Sequence, residues 1–278
     1  IRVLREQALA RARRASIRRW KLPVDHRGRR WRLAGVTAGI VVALAAAWQL
    51  SPWGFRPGTY HTDIGEQRIV ELDDQSRVFL DAGTRLRVAY SEDARLVEFT
   101  EGQAQFSVRR DASRPFKVRV GGHMFVVLGT VFTVDHLGDT VNLTTLEGRV
   151  ALLDAGLEMG AGQGVRVGSD GVPEFLPHAD VEAAMAWRQG KVVFHDEPLG
   201  QAVHRLNRYS RTQLQIQDEQ LATLKVSGVF DAGDTQGFLD IVQAYLPLKA
   251  EPVRGNLIRL RGVGNVSTRA LGISKGVE

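Results

Sequence analysis

The sequence predicts a single transmembrane helix, then an all-β domain of short strands, then a small α+β domain. Three observations predict it. Leu33 to Leu50 (LAGVTAGIVVALAAAWQL) contains no charged residue. Over about 59–168, apolar and polar residues alternate with a period of two, broken by Gly- and Asp-containing turns. Beyond residue 180, two stretches of helical spacing alternate with strands.

Residues 1–32 hold eleven Arg and Lys21 against Glu6 and Asp25, a net charge of +10. Ile1, Leu4, Ala8, Ala12 and Ala15 fall on one helical face. This segment reads as a basic surface held near anionic lipid, or as the end of an interaction helix. No DNA-recognition motif accompanies the charge, so no direct DNA binding is expected. The chain starts at Ile1 rather than Met, so it is expected to continue a longer one.

The uncharged run extends to Phe55, with Trp31, Trp48 and Trp53 near its ends. About 20 apolar residues at about 1.5 Å each cross a bilayer, and Trp suits the two interfaces. A cleaved signal peptide would lie at the extreme N-terminus and end in small residues, unlike Ala-Trp-Gln-Leu here. The other 246 residues carry 25 basic and 29 acidic side chains, so the basic surplus lies on one side of the span. Positive segments stay inside, which puts 1–32 in the cytoplasm and 51–278 outside. With no Cys, no disulfide is possible; a bacterial inner membrane and periplasm fit.

Residues 51–58 (SPWGFRPG) read as a linker. The all-β domain covers 59–171, with strands around Val78 and Leu80, Leu86 to Tyr90, Val97 and Phe99, Phe106 and Val108, Phe116 to Val120, Val126 and Leu128, Phe132 and Val134, and Val141 and Leu143. A sandwich and a solenoid-like stack both fit this rhythm. Residues 172–187 read as a linker ending in a short helix. The α+β domain, 188–262, reads as β-α-β-β-α-β, with Asp234 capping the second helix and Pro247 stopping it. Residues 263–278 are expected to be a flexible tail.

Covalent chemistry finds little support. The seven His residues are scattered without ligand spacing, and His195-Asp196-Glu197 reads as a helix cap. Gly160, Gly162 and Gly164 lack the Lys-Ser/Thr of a phosphate loop, and no nucleophile elbow is present. The residues alone describe a membrane-tethered binding module, with no enzyme activity, metal or cofactor expected.

The motifs resemble those of the FecR family of transmembrane anti-sigma regulators. They are Thr62-x-x-Gly65-Glu66, Leu72-Asp-Asp74-Gln75-Ser76, Leu80-Asp81-Ala82-Gly83-Thr84, Glu101-Gly102-Gln103-Ala104-Gln105-Phe106, Arg114-Pro115-Phe116, Leu128-Gly129-Thr130-x-Phe132 and Glu147-Gly148-Arg149-Val150. Trp187-Arg188-x-Gly190, Pro198-Leu199, Leu206-Asn207-Arg208-Tyr209 and Ser227-Gly228-x-Phe230 are similar to the family's STN-like module. Gln75 stands where the family has a turn Gly, which argues against a positive φ there. Gln103 replaces a Glu.

The resemblance implies a relay from the periplasmic signalling domain of an outer-membrane TonB-dependent, siderophore-type receptor to a cytoplasmic ECF sigma factor. Periplasmic and intramembrane proteases are implied as further partners. A membrane-anchored scaffold of an envelope or secretion assembly is the alternative. The receptor contact is expected at an open sheet edge of 188–262. The candidate edges are Leu224, Val226 and Phe230 on one strand, and Leu257, Ile258 and Leu260 on another. Some members of the family are split at a matching Gly-Thr bond. At Gly129-Thr130 the Thr130 hydroxyl would attack the Gly129 carbonyl, with His123 or His136 as base. The simpler reading makes Gly129 a strand kink and Thr130 a β position.

Overall fold

The computed structural model describes residues 58–263. The basic segment 1–32, the membrane span 33–50, nearly all of the linker and nearly all of the tail lie outside the described residues. Among those described, no helix is long and apolar enough to cross a membrane.

Thirteen strands form one continuous sheet. They are β1 (Gly58–His61), β2 (Arg68–Glu71), β3 (Arg77–Leu80), β4 (Arg85–Tyr90), β5 (Arg95–Ser107), β6 (Phe116–Val120), β7 (His123–Val127), β8 (Val131–Leu137), β9 (Thr140–Glu147), β10 (Arg149–Leu152), β11 (Leu157–Gly160), β12 (Gly164–Val167) and β13 (Pro173–Leu176). β5 belongs to two leaves. Its first part, Arg95–Phe99, lies between β4, antiparallel, and β6, parallel. Its second part lies between β3 and β8, both antiparallel. From β6 the first leaf runs through β7 and β10 to β11, and from β8 the second runs through β9 and β12 to β13. Strands distant in sequence are therefore neighbours, which excludes the sequential solenoid stack and leaves a two-leaf, sandwich-like fold. β13 falls where a linker was expected, because Glu174 and Phe175 are exposed and the strand closes an edge.

One apolar core fills the space between the leaves. Phe106 of β5 stacks on Phe132 of the second leaf at 5.0 Å and meets Phe116 of the first at 6.2 Å. Truncating so buried a Phe costs about 3–5 kcal/mol. β5 passes between leaves at Gly102, whose φ is +100 and where a Cβ would lie 2.4 Å from Thr84 Cα.

Gln75 has φ +67, against the expectation. The reason is Asp74. Its carboxylate accepts the Ser76 N–H at 3.1 Å, the Tyr90 hydroxyl at 2.9 Å and fully buried Arg95 at 2.5 Å. That anchoring fixes the turn and holds the next residue in the left-handed region. Burial raises the Asp74 pKa, but the Ser76 and Arg95 hydrogen bonds outweigh it and hold the carboxyl below its usual range.

The C-terminal domain has a richer order than expected. After α1 (Val181–Met185) and a 3-10 turn (Ala186–Gln189) come β14 (Lys191–Pro198), α2 (Leu199–Asn207), β15 (Gln213–Ile216), α3 (Glu219–Ala222), β16 (Lys225–Asp231), α4 (Thr235–Tyr245), β17 (Leu248–Pro252) and β18 (Leu257–Gly262). β14 pairs β16 antiparallel; β18 lies between β15, parallel, and β17, antiparallel. Asp234 caps α4 as expected, accepting the Gly237 N–H at 2.9 Å. His195, Asp196 and Glu197 do not cap α2. They lie in β14, where Asp196 has φ +47 beside a register shift, and Pro198 occupies the cap position. α2, α3 and α4 share one apolar core with both sheets, around Phe194, Phe230 and Phe238.

Candidate functional site

Each domain contributes one side of a buried polar junction. From the β domain come the β3–β4 turn with Asp81, the β5 corner with Gln103, and Asp135 on β8. The C-terminal domain brings the 3-10 turn with Trp187, the end of α2 with Arg205, Arg208 and Tyr209, and Glu197 of β14. Asp135 binds Arg208 Nη1 at 3.3 Å and Arg205 Nη2 at 3.0 Å. Arg205 also binds Glu197 at 3.1 Å. The Tyr209 hydroxyl donates to the Asp81 carboxylate, and Gln67 Nε2 donates to both Asp81, at 2.9 Å, and the Trp187 carbonyl, at 3.1 Å. The Gly65 N–H donates to the Arg208 carbonyl at 2.9 Å. At the rim, Arg188 stacks over Phe79 at 4.4 Å, and Trp187 meets the same ring edge-on.

The local sequence explains these placements. Thr62 and Thr84 brace the β3–β4 turn: Thr62 Oγ1 donates to the Asp81 carbonyl at 2.5 Å, and Thr84 Oγ1 to the Gln103 carbonyl at 2.9 Å. Arg205 and Arg208 are three residues apart, on one face of the α2 C-terminus.

Charge at the junction is tightly confined. Burial pushes the Asp81 carboxyl up, opposed by Tyr209 and Arg208. Burial also raises Glu197, opposed by Arg205. For Arg205, burial is outweighed by Asp135 and Glu197, so its pKa rises. Trp187 Nε1 and the Nε atoms of Arg205 and Arg208 are buried without a protein acceptor. A partly satisfied network is weaker glue than an apolar contact. Among the described residues, no group of three or more His, Cys, Asp or Glu is placed to hold a metal ion. The arrangement fastens the C-terminal elements to the β sheet.

The motifs of the two halves thus meet: Asp81, Gln103 and Gly65 on one side, Trp187, Arg188, Arg208 and Tyr209 on the other. Sequence reading passed over Asp135 and Arg205, and took Glu197 as part of a helix cap. No local signal marked Asp135: β8 alternation assigns it to the solvent face, where a polar residue is ordinary.

The expected edge residues divide. Val226 and Phe230 lie on β16, which among the described residues pairs only with β14 and has an open edge; Leu224 immediately precedes it. Leu257, Ile258 and Leu260 lie on β18, a central strand between β15 and β17, so they form no edge. Their alternation reflects burial within a three-stranded sheet. Beside β16, a groove of about 250 Å³ is lined by Val226, Ser227, Ile241, Val242 and Tyr245. Ile241 and Tyr245 are exposed.

At the expected self-cleavage site, Gly129 has φ +78, and a Cβ there would lie 2.7 Å from Arg110 Cβ. Thr130 is buried, and its hydroxyl donates to the Arg149 carbonyl at 2.8 Å. Neither histidine serves as its base. His136 lies six residues along β8, about 20 Å away in extended chain. His123, at the far end of β7, binds Asp154 at 2.5 Å.

Residues 58–151 match the FecR protein family. No curated protein matches the chain. Two crystal structures of a candidate anti-sigma factor from Parabacteroides distasonis ATCC 8503, at 1.65 and 2.50 Å, share its fold. Each has a TM-score of 0.67 and 24% identity, and covers 74% of this chain and 99% of its own. The likeness to those structures is one of fold. Residues 58–151, from β1 into β10, therefore carry a FecR-type domain.

Proposed function

We propose that the protein is a transmembrane anti-sigma regulator, which relays a signal from a TonB-dependent receptor outside the inner membrane to an ECF sigma factor in the cytoplasm. The observation that carries the reading is the junction: two domains joined by Asp135, Arg205, Arg208 and the Asp81–Tyr209 pair rather than by an apolar seam. The FecR match over 58–151 and the fold shared with a candidate anti-sigma factor support this reading. The +10 charge before an uncharged span supports a cytoplasmic N-terminus.

In this account the STN-like module receives the receptor's signalling domain at the open β16 edge. Its backbone groups can accept an added strand, and Ile241 and Tyr245 offer apolar contact beside it. Strain on the module then reaches the β domain through the junction, and from there the membrane span. The test is capture of the receptor's signalling domain by the full chain. Removing 188–278 should abolish capture. Undiminished capture by the shortened chain would refute the assignment.

A further inference from the structure

The β16 edge has a second property, independent of the receptor reading. Lys225, Ser227, Val229 and Asp231 all face solvent on this strand. Their order is self-complementary. When two copies of β16 run antiparallel about Gly228, Lys225 stands opposite Asp231 of the second copy, twice. Ser227 then stands opposite Val229, and buried Val226 opposite buried Phe230. We propose that the resting protein forms a homodimer through this edge, joining two β14–β16 pairs into one four-stranded sheet.

Three features favour a second copy as the occupant. The first is charge: Lys225 has no ion-pair partner among the described residues, and the register brings it opposite Asp231, which Lys191 of its own copy holds at 2.6 Å, so that the carboxylate lies between two lysines. The second is face. A register centred on one residue has its two-fold axis perpendicular to the sheet, so solvent face continues into solvent face and helix face into helix face. Strand β2 fails this criterion. Pairing its Arg68 with Glu71 of another copy would set exposed Ile69 opposite buried Val70. The third is the apolar surface: Ile241 and Tyr245 of α4 are exposed in the groove beside Val226 and Ser227, where a second copy seated on β16 would cover them. Two other edges of this domain are blunted. β17 carries Lys249, Glu251 and Pro252, and β14 is distorted at Asp196. Because one edge serves one strand, a copy paired in this way excludes any other incoming strand.

The native chain has no Cys, so introduced thiols report the register directly. Full chains carrying Ser227→Cys and Val229→Cys, differently tagged, are mixed in detergent micelles and mildly oxidised. Directly opposite residues lie about 4.5–5.5 Å apart at Cα, within disulfide reach; a 227–227 or 229–229 contact is diagonal, at about 7–8 Å. The mixed covalent dimer should exceed either same-site dimer several-fold. Lys225→Asp in both chains should lower its yield about tenfold, and adding Asp231→Lys should restore most of it. Equal yields at all three combinations, no covalent dimer, or indifference to the charge reversal would overturn the pairing and leave the edge to another strand.

Discussion

Asp135 is the residue on which the junction turns, and its replacement by Asn tests that reading in energetic terms. The carboxylate is buried and binds two guanidinium groups, Arg208 at 3.3 Å and Arg205 at 3.0 Å. Asn keeps the volume and removes the charge. Arg205 is left with Glu197, and Arg208 with a weak hydrogen bond to the Gln103 amide oxygen at 3.4 Å and the charge of nearby Asp81. Stranding buried charge in this way costs about 3–5 kcal/mol. Arg208→Met removes a cation instead, and Asp135 keeps Arg205, so the expected loss is about 1–2 kcal/mol. For a folded region of this size, 1 kcal/mol moves the midpoint by about 2–4 °C, so Asp135→Asn should lower it by about 6–20 °C. Thermal unfolding of the full chain in detergent, followed by circular dichroism, measures both. Because the network joins two domains, the C-terminal domain should also become sensitive to proteolysis near 177–190 before the β domain unfolds. A loss for Asp135→Asn no larger than that for Arg208→Met would refute the reasoning.

Three further outcomes follow from individual groups. Gln75→Gly should leave stability unchanged or raise it by up to about 1 kcal/mol, while Gln75→Val should lower it by about 1–2 kcal/mol; denaturant midpoints decide, and equal effects would remove the strain argument. Asp81 has a folded pKa above its ordinary value, so its contribution is full below that value and is lost as pH rises through the raised one; from about pH 4 upward, wild-type stability should fall relative to Asp81→Asn, and a constant difference would contradict this. The purified chain should remain a single species by mass spectrometry, since the Thr130 hydroxyl is bound to a carbonyl with no base at hand; spontaneous halves ending at Gly129 would show otherwise.

Much of the β domain was legible because its alternation is clean. Val78 and Leu80, Phe116 and Val118, and Phe132 and Val134 point inward as their period requires. The misses share a cause, which is that edges and interfaces do not obey a single-face period. β13 and β17 border their sheets, so Phe175 stays exposed and Pro252 is tolerated at a strand end. On β8, Phe132, Thr133, Val134 and Asp135 are all buried, because the C-terminal domain covers the face that alternation assigns to solvent. Asp135 and Arg208 are 73 residues apart, and no local spacing connects them. Gln75 misled for a related reason: the left-handed turn is enforced by the anchored Asp74, while the residue type at the turn suggested none.

The central claim is that the C-terminal module acts on the rest of the protein through the junction. Transcription from a promoter served by the cognate ECF sigma factor tests it most directly, measured with and without the receptor's ligand in cells carrying wild-type protein or the Arg208→Met variant. At equal envelope abundance by immunoblot, wild type should respond to ligand, and the variant should give an output that no longer follows it. A variant that responds to ligand as fully as wild type would contradict the account.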